Sequence, residues 1–382
     1  MSEHRRETRP TVTLDVGTAY DFFESLAVLQ DPKTFGVRGA WASGMLARLA
    51  PDARATLQRV KPFGLHPMHY LPTLPEPKNV ETLLWSLAQL SPVDRVRALS
   101  CPWEMSVRGC QEVLDEVADR GRWGASDMAR LGAALAGKDD KPAAEEKLSL
   151  LLDIWADLEA FGEAYLSALR NYHEVFFVEE ERRIEPAIRA AGERIAERIG
   201  AVSIPDLIEE ISAGVRYEAV PDVEELVLAP SFWVTPLLMS IMLGPKRRLL
   251  VFGARTSRDS LVPGESVPES LVRTLKALAD PTRLRTLRLI SEQPMGAAEL
   301  ARTLRLRTPT MMHHLHALRL SELVGIQVPE PHMKEKMRYA LRPQAVREVL
   351  VELDRFLGRT DEEVPADPMP HDGEKASEGG ER

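Results

Sequence analysis

Apolar residues recur at three- and four-residue intervals over Tyr20 to Leu29, Val80 to Leu90, Gln111 to Arg120 and Leu148 to Tyr172, which predicts a helix in each. Ala136 to Glu146 (AGKDDKPAAEE) is a polar break that reads as a long interhelical loop. After Glu185 the pattern changes: Val215 to Val220, Glu224 to Leu228 and Leu249 to Phe252 read as short strands, with a turn at Pro221-Asp222. A small sheet near residues 215–253, packed on helices, is therefore expected. The most apolar stretch, Ser231 to Gly244 (SFWVTPLLMSIMLG), has 14 residues and contains Pro236. A membrane span needs about 20, so this stretch reads as a buried core helix and no membrane partner is expected.

The pattern is clearest nearer the C-terminus. Asp280-Pro281 opens a helix, because Asp accepts from free backbone N–H groups and Pro suits the first helical position. Leu284, Leu287 and Ile290 share one face, and Glu292-Gln293-Pro294 ends the helix. A short helix from Ala297 to Leu304 buries Leu300, Ala301 and Leu304, and the turn Arg305-Leu306-Arg307 follows. Thr308-Pro309 starts a third helix. On a 100° wheel Met311, Leu315 and Leu318 form its core stripe, Met312, His313, His316 and Arg319 its opposite face, and Thr310 and His314 its flanks. Two helices, a tight turn and a polar outer face make a helix-turn-helix. Leu323 to Val328, a turn at Pro329-Glu330-Pro331, the basic stretch Lys334 to Arg338 and a strand Arg338 to Leu341 then read as a β-hairpin wing. The last helix, Gln344 to Leu357, carries Val346, Val349, Leu350, Leu353 and Leu357 as its apolar stripe.

Charge sharpens this division. Residues 268–358 hold 15 Lys/Arg and 10 Asp/Glu, a net of +5, inside a chain of formal charge −9. Residues 359–382 carry 3 and 8, a net of −5, with almost no large apolar side chain. At 382 residues, two or three domains are expected. We divide the chain into a mostly helical domain over 1–255, a Ser/Pro/Gly-rich linker over 256–269, a winged helix-turn-helix over 270–358 and a disordered acidic tail over 359–382. The fold class is mainly α with small β elements: a large helical (α+β) N-terminal domain followed by the winged helix. Two cysteines and the absence of an apolar leader fit a reducing cytoplasm.

The run LADPTRLRTLRLI, then AAELARTLRLRTPTMMHHLHALRLSELVG, then MRYAL resembles the winged helix of ArsR-type bacterial transcription regulators. The resemblance covers about 90 residues and rests on Ala279-Asp280-Pro281-Thr282-Arg283 and on Pro309-Thr310 with His313-His314-Leu315. It implies a homodimer, paired through the module's first and last helices, on a pseudo-palindromic operator in double-stranded DNA. The DNA-binding candidates are Arg307, Thr308, Thr310, Met312, His313, His314, His316 and Arg319 on the helix, with Lys334, Lys336 and Arg338 on the wing. The pairing candidates are Leu271, Leu275 and Leu278 on the first helix and Val346, Val349, Leu350, Leu353 and Leu357 on the last. The chain departs from the family at three places. Arg305 occupies a turn position where the family often has Gly, so a positive φ there would cost about 1 kcal/mol. Met312 replaces a small polar residue. Ala298-Glu299-Leu300-Ala301 lacks the cysteine pair of the metal-sensing members, which argues against thiol-bound metal.

Elsewhere the candidate chemistry is thin. His66 and His69 in HPMH form a weak pair, and His313 with His316 lacks a third ligand nearby in sequence, so no metal or cofactor is expected. Cys101 and Cys110 lie nine apart and read as structural thiols. All six tryptophans, Trp41, Trp85, Trp103, Trp123, Trp155 and Trp233, precede the basic module and read as core. No phosphate-cradling Gly loop, nucleophile elbow or zinc-protease helix is present, so the chain reads as a regulator and not an enzyme. Its large domain is expected to sense an effector, a small organic molecule or a protein. The apolar run Phe232 to Leu243 is the expected contact surface with the winged helix. The competing class is an enzyme or ligand-binding protein whose winged helix serves dimerisation or protein contacts.

Overall fold

The computed structural model describes residues 10–61, 67–100, 109–135, 145–217, 223–256, 259–261, 267–329 and 337–358. The chain opens with β1 (Thr11–Leu14) and a run of helices: α1 (Ala19–Gln30), α2 (Gly39–Ala47), α3 (Pro51–Val60), α4 (Val80–Gln89), α5 (Pro92–Ser100), α6 (Cys110–Arg120) and α7 (Ala125–Leu135). Capping sets several of these ends. Pro51 occupies the first turn of α3, and the Asn79 side chain accepts from the Thr82 N–H at the start of α4. The stretch from Leu148 to Tyr172 is not one helix but two, α8 (Glu145–Ala156) and α9 (Leu158–Tyr172). Asp157 divides them: its carboxylate accepts from the Ala160 N–H, a local bond that competes with helix continuation. A π-helical turn, His173–Phe177, joins α9 to α10 (Val178–Arg198), and α11 (Ile204–Ile211) follows, capped by Ser203.

Next come β2 (Val215–Tyr217), β3 (Glu225–Ser231), β4 (Leu238–Gly244) and β5 (Arg247–Gly253). One sheet has the order β1-β3-β5-β4, with β1, β3 and β5 parallel and β4 antiparallel to β5. Both faces of its centre are covered. Leu226, Leu228, Leu250 and Phe252 pack with Leu207 and Ile208 of α11, while Val227, Ala229, Leu249 and Val251 join the main helical core. That is why β3 reads as an unbroken apolar run rather than an alternating one.

Two expectations are corrected here. Ser231 to Gly244 is not a core helix: Phe232, Trp233 and Val234 are buried in a turn that leads into β4. A short apolar run cannot be assigned to helix or strand by periodicity alone. Residues 215–217 do form a strand, but β2 pairs with the wing instead of the large domain's sheet.

The winged helix comprises α12 (Glu269–Leu278), α13 (Pro281–Glu292), β6 (Met295–Gly296), α14 (Ala297–Thr303), α15 (Thr308–Leu320), β7 (Val324–Val328), β8 (Arg338–Leu341) and α16 (Pro343–Phe356). Asp280 caps α13 by accepting from the Arg283 N–H at 2.9 Å. Leu287, Ile290, Leu300, Met311, Leu315 and Leu318 form one core with Leu323, Val324 and Tyr339. Leu284 is not part of it and stands 49% exposed. The second sheet has the order β2-β7-β8-β6, so a strand contributed from before the linker extends the wing.

Within the linker, residues 260 and 261 are held to the large domain. Leu261 is buried, and Arg183 of α10 donates to the carbonyls of Ser260 and Leu261. Among the described residues no helix is long and apolar enough to cross a membrane.

Candidate nucleic-acid interface

The recognition helix α15 is divided along its length. In the first turns Arg307, Thr308, Pro309, Met312 and His313 are exposed, and Thr310 is half-buried. Met312 touches the wing through the Tyr339 hydroxyl, 3.9 Å from its sulfur. His314 turns inward: its Nδ1 lies 3.8 Å from the Asp280 carboxylate, which the Arg283 N–H and the Arg283 side chain hold below the usual carboxylate range. His313 is thus the histidine of this end that faces solvent.

The far half of α15 is occupied. His316 Nε2 lies 2.9 Å from the carbonyl oxygen of Thr34, in the loop after α1, which places the ring proton on that nitrogen. Arg319 is a correction. Its place on the wheel marked it as a DNA contact, yet it is 5% exposed and inserts between the modules. It donates to the carbonyl oxygens of Ser212, of Ala213 at 2.6 Å and of Val324 at 3.4 Å. The Ser212 and Ala213 carbonyls lie just past the end of α11, where no intrahelical donor remains for them. Burial holds the Arg319 pKa down to about 10, with repulsion from Arg342 adding to the effect.

The β2–β7 joint beside it leaves no spare room. The Ile326 N–H donates to the Gly214 carbonyl at 2.8 Å, and a methyl group on Gly325 would stand 2.6 Å from that same oxygen. Gly214 itself has φ +99, a region glycine tolerates without steric cost. The contact between the modules includes β2, the end of α11, the Thr34 loop and Arg255, which lies 3.8 Å from Glu269 of α12; of the expected surface, Thr235 and Pro236 border the winged helix. The core of the expected surface, Phe232 to Val234, belongs instead to the large domain's interior.

The wing contributes Arg338, exposed and bonded to the Pro294 carbonyl; Lys334 and Lys336 lie outside the described residues. Further exposed cations belong to the same module, among them Arg285 and Arg288 on α13, Arg302 on α14 and Arg305 in the turn. Sequence reasoning passed over them because it searched only the recognition helix and the wing. The net charge of +5 was the signal that could have found them. Arg305 adopts φ +55, so the turn does take the left-handed conformation that glycine would relieve.

The pairing candidates divide as well. Leu271 and Val349 are buried within the chain and face no partner, a correction to that set. Leu278, Val346 and Leu353 are half-buried. Leu275, Leu350 and Leu357 are exposed, the last two at 58% and 62%, and Phe356 is a large exposed apolar residue that the sequence stripe omitted.

Of the sparse chemistry elsewhere, His69 is mostly buried and its Nε2 meets the Ala98 carbonyl at 2.8 Å; His66, Cys101 and Trp103 lie outside the described residues. Trp155 and Trp233 are core residues, Trp41 stacks on Trp233, and Trp85 stands exposed.

A family model described as a helix-turn-helix domain matches residues 278–325, which span α13, α14, α15 and the start of β7. No curated protein and no solved structure matches the chain. Residues 278–325 are a helix-turn-helix, a DNA-binding regulatory domain, at the C-terminal end of a mainly α protein with small sheets.

Proposed function

We propose that this protein is an ArsR-like transcription regulator that binds a pseudo-palindromic operator as a homodimer, with an effector acting through the large domain. The observation that carries the reading is the exposed, uncapped start of α15, where Arg307, Thr308, Met312 and His313 face solvent in a module of net charge +5. Phosphate contacts come from the cations and base readout from the short polar side chains of that first turn. The exposed apolar residues Leu275, Leu350, Phe356 and Leu357 support pairing through α12 and α16, since burying them requires a second surface.

One observation favours a second reading, in which the winged helix serves protein contacts. The far half of the recognition helix already holds the large domain through His316 and Arg319. Selection of bound duplexes from a random DNA library, with the full chain, separates the two. An inverted repeat with half-site centres about 34 Å apart, one helical turn, is the expected product. A pool that stays random overturns the regulator reading in favour of the second.

A further inference from the structure

A cleft of about 560 Å³ separates the linker and the turn before β4 from α12, the end of α15 and α16. This lies within the usual range for sites that bind small organic molecules. Two guanidinium groups meet on its inner wall. Arg255, whose side chain is 6% exposed, donates to the carbonyls of Phe232 and Thr235 and lies 3.8 Å from the Glu269 carboxylate. Arg273 takes that same carboxylate at 2.8 Å, and its Nε is buried with no hydrogen-bond partner among the described residues. Two guanidinium groups thus share one carboxylate. Burial and the neighbouring Arg273 charge hold Arg255 down to about 10.

Four further carboxylates line the cleft, Asp259, Glu322, Glu348 and Glu352, alongside the cations Arg347 and Arg355, and Glu322 also acts on Arg255. Asp259 accepts from the Thr256 N–H and hydroxyl, Glu322 lies 3.7 Å from Arg342, and Glu352 accepts from Ser270. Glu348 belongs to α16 together with Arg347 and Arg355. Pro236, Leu320, Val349 and Val351 give the cleft an apolar side.

We infer that this cleft binds a small organic carboxylate with an apolar body, its acid group completing the Arg255–Arg273 pair. The consequence for regulation rests on the regulator reading above. Gln344, Glu348, Glu352 and Arg355 line the cleft from one face of α16, whereas Val346, Leu350, Leu353 and Leu357 lie on the opposite face of the same helix. Leu320 and Ser321, at the end of the recognition helix, line it too. A molecule bound here touches the large domain, the DNA-reading helix and the back of the proposed pairing helix at once. Its affinity therefore differs between arrangements of the modules, as an effector requires.

The test uses the full chain without DNA, so that it stands apart from DNA binding. Calorimetric titration with 2-naphthoate, octanoate, the two matching amides and inorganic phosphate should give heat with at least one acid and with neither amide. Phosphate binding in place of the acids would assign the wall to an inorganic anion and overturn the inference. Arg273→Gln should weaken the acid at least tenfold. Val351→Trp, which fills the cleft from its exposed rim, should do the same without touching a cation or the core, so misfolding of the arginine variant does not decide the matter. Amides bound as well as acids, no binding at millimolar acid, or acid binding unaffected by Val351→Trp would each overturn it. If acids bind but no DNA is recognised, the cleft stands and the regulator reading falls.

Discussion

The two modules of this chain solve burial by different means. The winged helix closes over an apolar core in which Met311, Leu315 and Leu318 meet Leu300, Ile290 and Val324, and its buried polar side chains, Thr274, Thr286, Arg319 and Ser321, each donate to backbone carbonyls. The large domain buries acids. α1 places Asp21 and Glu24 at 0% exposure among Tyr20, Phe22 and Phe23. Asp21 accepts from the Ser231 hydroxyl and the Trp233 N–H, but neither oxygen of Glu24 has a partner among the described residues. Burial pushes Asp21 up to about 7 and Glu24 up to about 8, with the Asp21 charge adding to the latter. The difference is that the larger module carries two fully buried carboxyl groups whose protonation is coupled to its folding.

The largest expected effect follows from Glu24. Its folded pKa lies above its unfolded value of about 4.5, so between those values the folded state holds a proton that the unfolded chain has released. Stability therefore falls as pH rises through roughly 4.5 to 8, with Glu24 contributing about 1.4 kcal/mol per pH unit at most and Asp21 a similar share up to about pH 7. Glu24→Gln should remove the Glu24 share of that slope, leave the Asp21 share, and stabilise the large domain near pH 8 by about 4 kcal/mol, measured by urea unfolding at pH 5 and pH 8. An unchanged slope would show that Glu24 is ionised in the folded protein.

The next effect lies at the joint. Arg319→Ala strands the carbonyls just past the end of α11 and should cost about 3 kcal/mol. Denaturation followed by probes in both modules should show their transitions drawing apart. A loss below about 0.5 kcal/mol would mean that Arg319 is not seated against α11.

Arg305→Gly tests the winged helix alone. Relieving φ +55 should raise stability by about 1 kcal/mol while removing one exposed cation, so the variant should melt higher yet bind DNA more weakly. A lower melting temperature would contradict the turn geometry.

The smallest effect sharpens the division of the recognition helix. His316→Ala removes the bond to Thr34, a contact of about 1 kcal/mol. If the large domain restrains the helix, DNA affinity should rise two- to fivefold, read by fluorescence anisotropy. A loss of affinity would return His316 to the DNA-reading set.

The sequence disclosed these regions unequally, for physical reasons. Asp280-Pro281 and Thr308-Pro309 are local signals, and a stripe at three- and four-residue spacing needs no knowledge of distant partners, so α13, α14 and α15 were legible. The hairpin was legible from alternation at Leu323 to Val328. What was hidden depends on long-range pairing. β1 is four residues long and is recognisable only beside Glu225 to Leu228. Residues 215–217 show a strand pattern but not that Ile326, Gln327 and Val328 are their partners. Arg319 occupies the polar face of its helix, and nothing within a turn of it announces Ser212, 107 residues earlier. Periodicity identifies a face; it does not identify what covers that face. The same limit explains why Leu271 and Leu350, both apolar at helical spacing, ended on opposite sides of the surface.

The most direct measurement for the central claim is the affinity of the full chain for its selected duplex and for random DNA, titrated against salt. The account predicts binding to both at low salt, a slope of several units in log affinity against log salt, and tighter binding to the selected sequence. It also predicts that His313→Ala lowers that preference by about 1–3 kcal/mol. Failure to bind either DNA at low salt would contradict it.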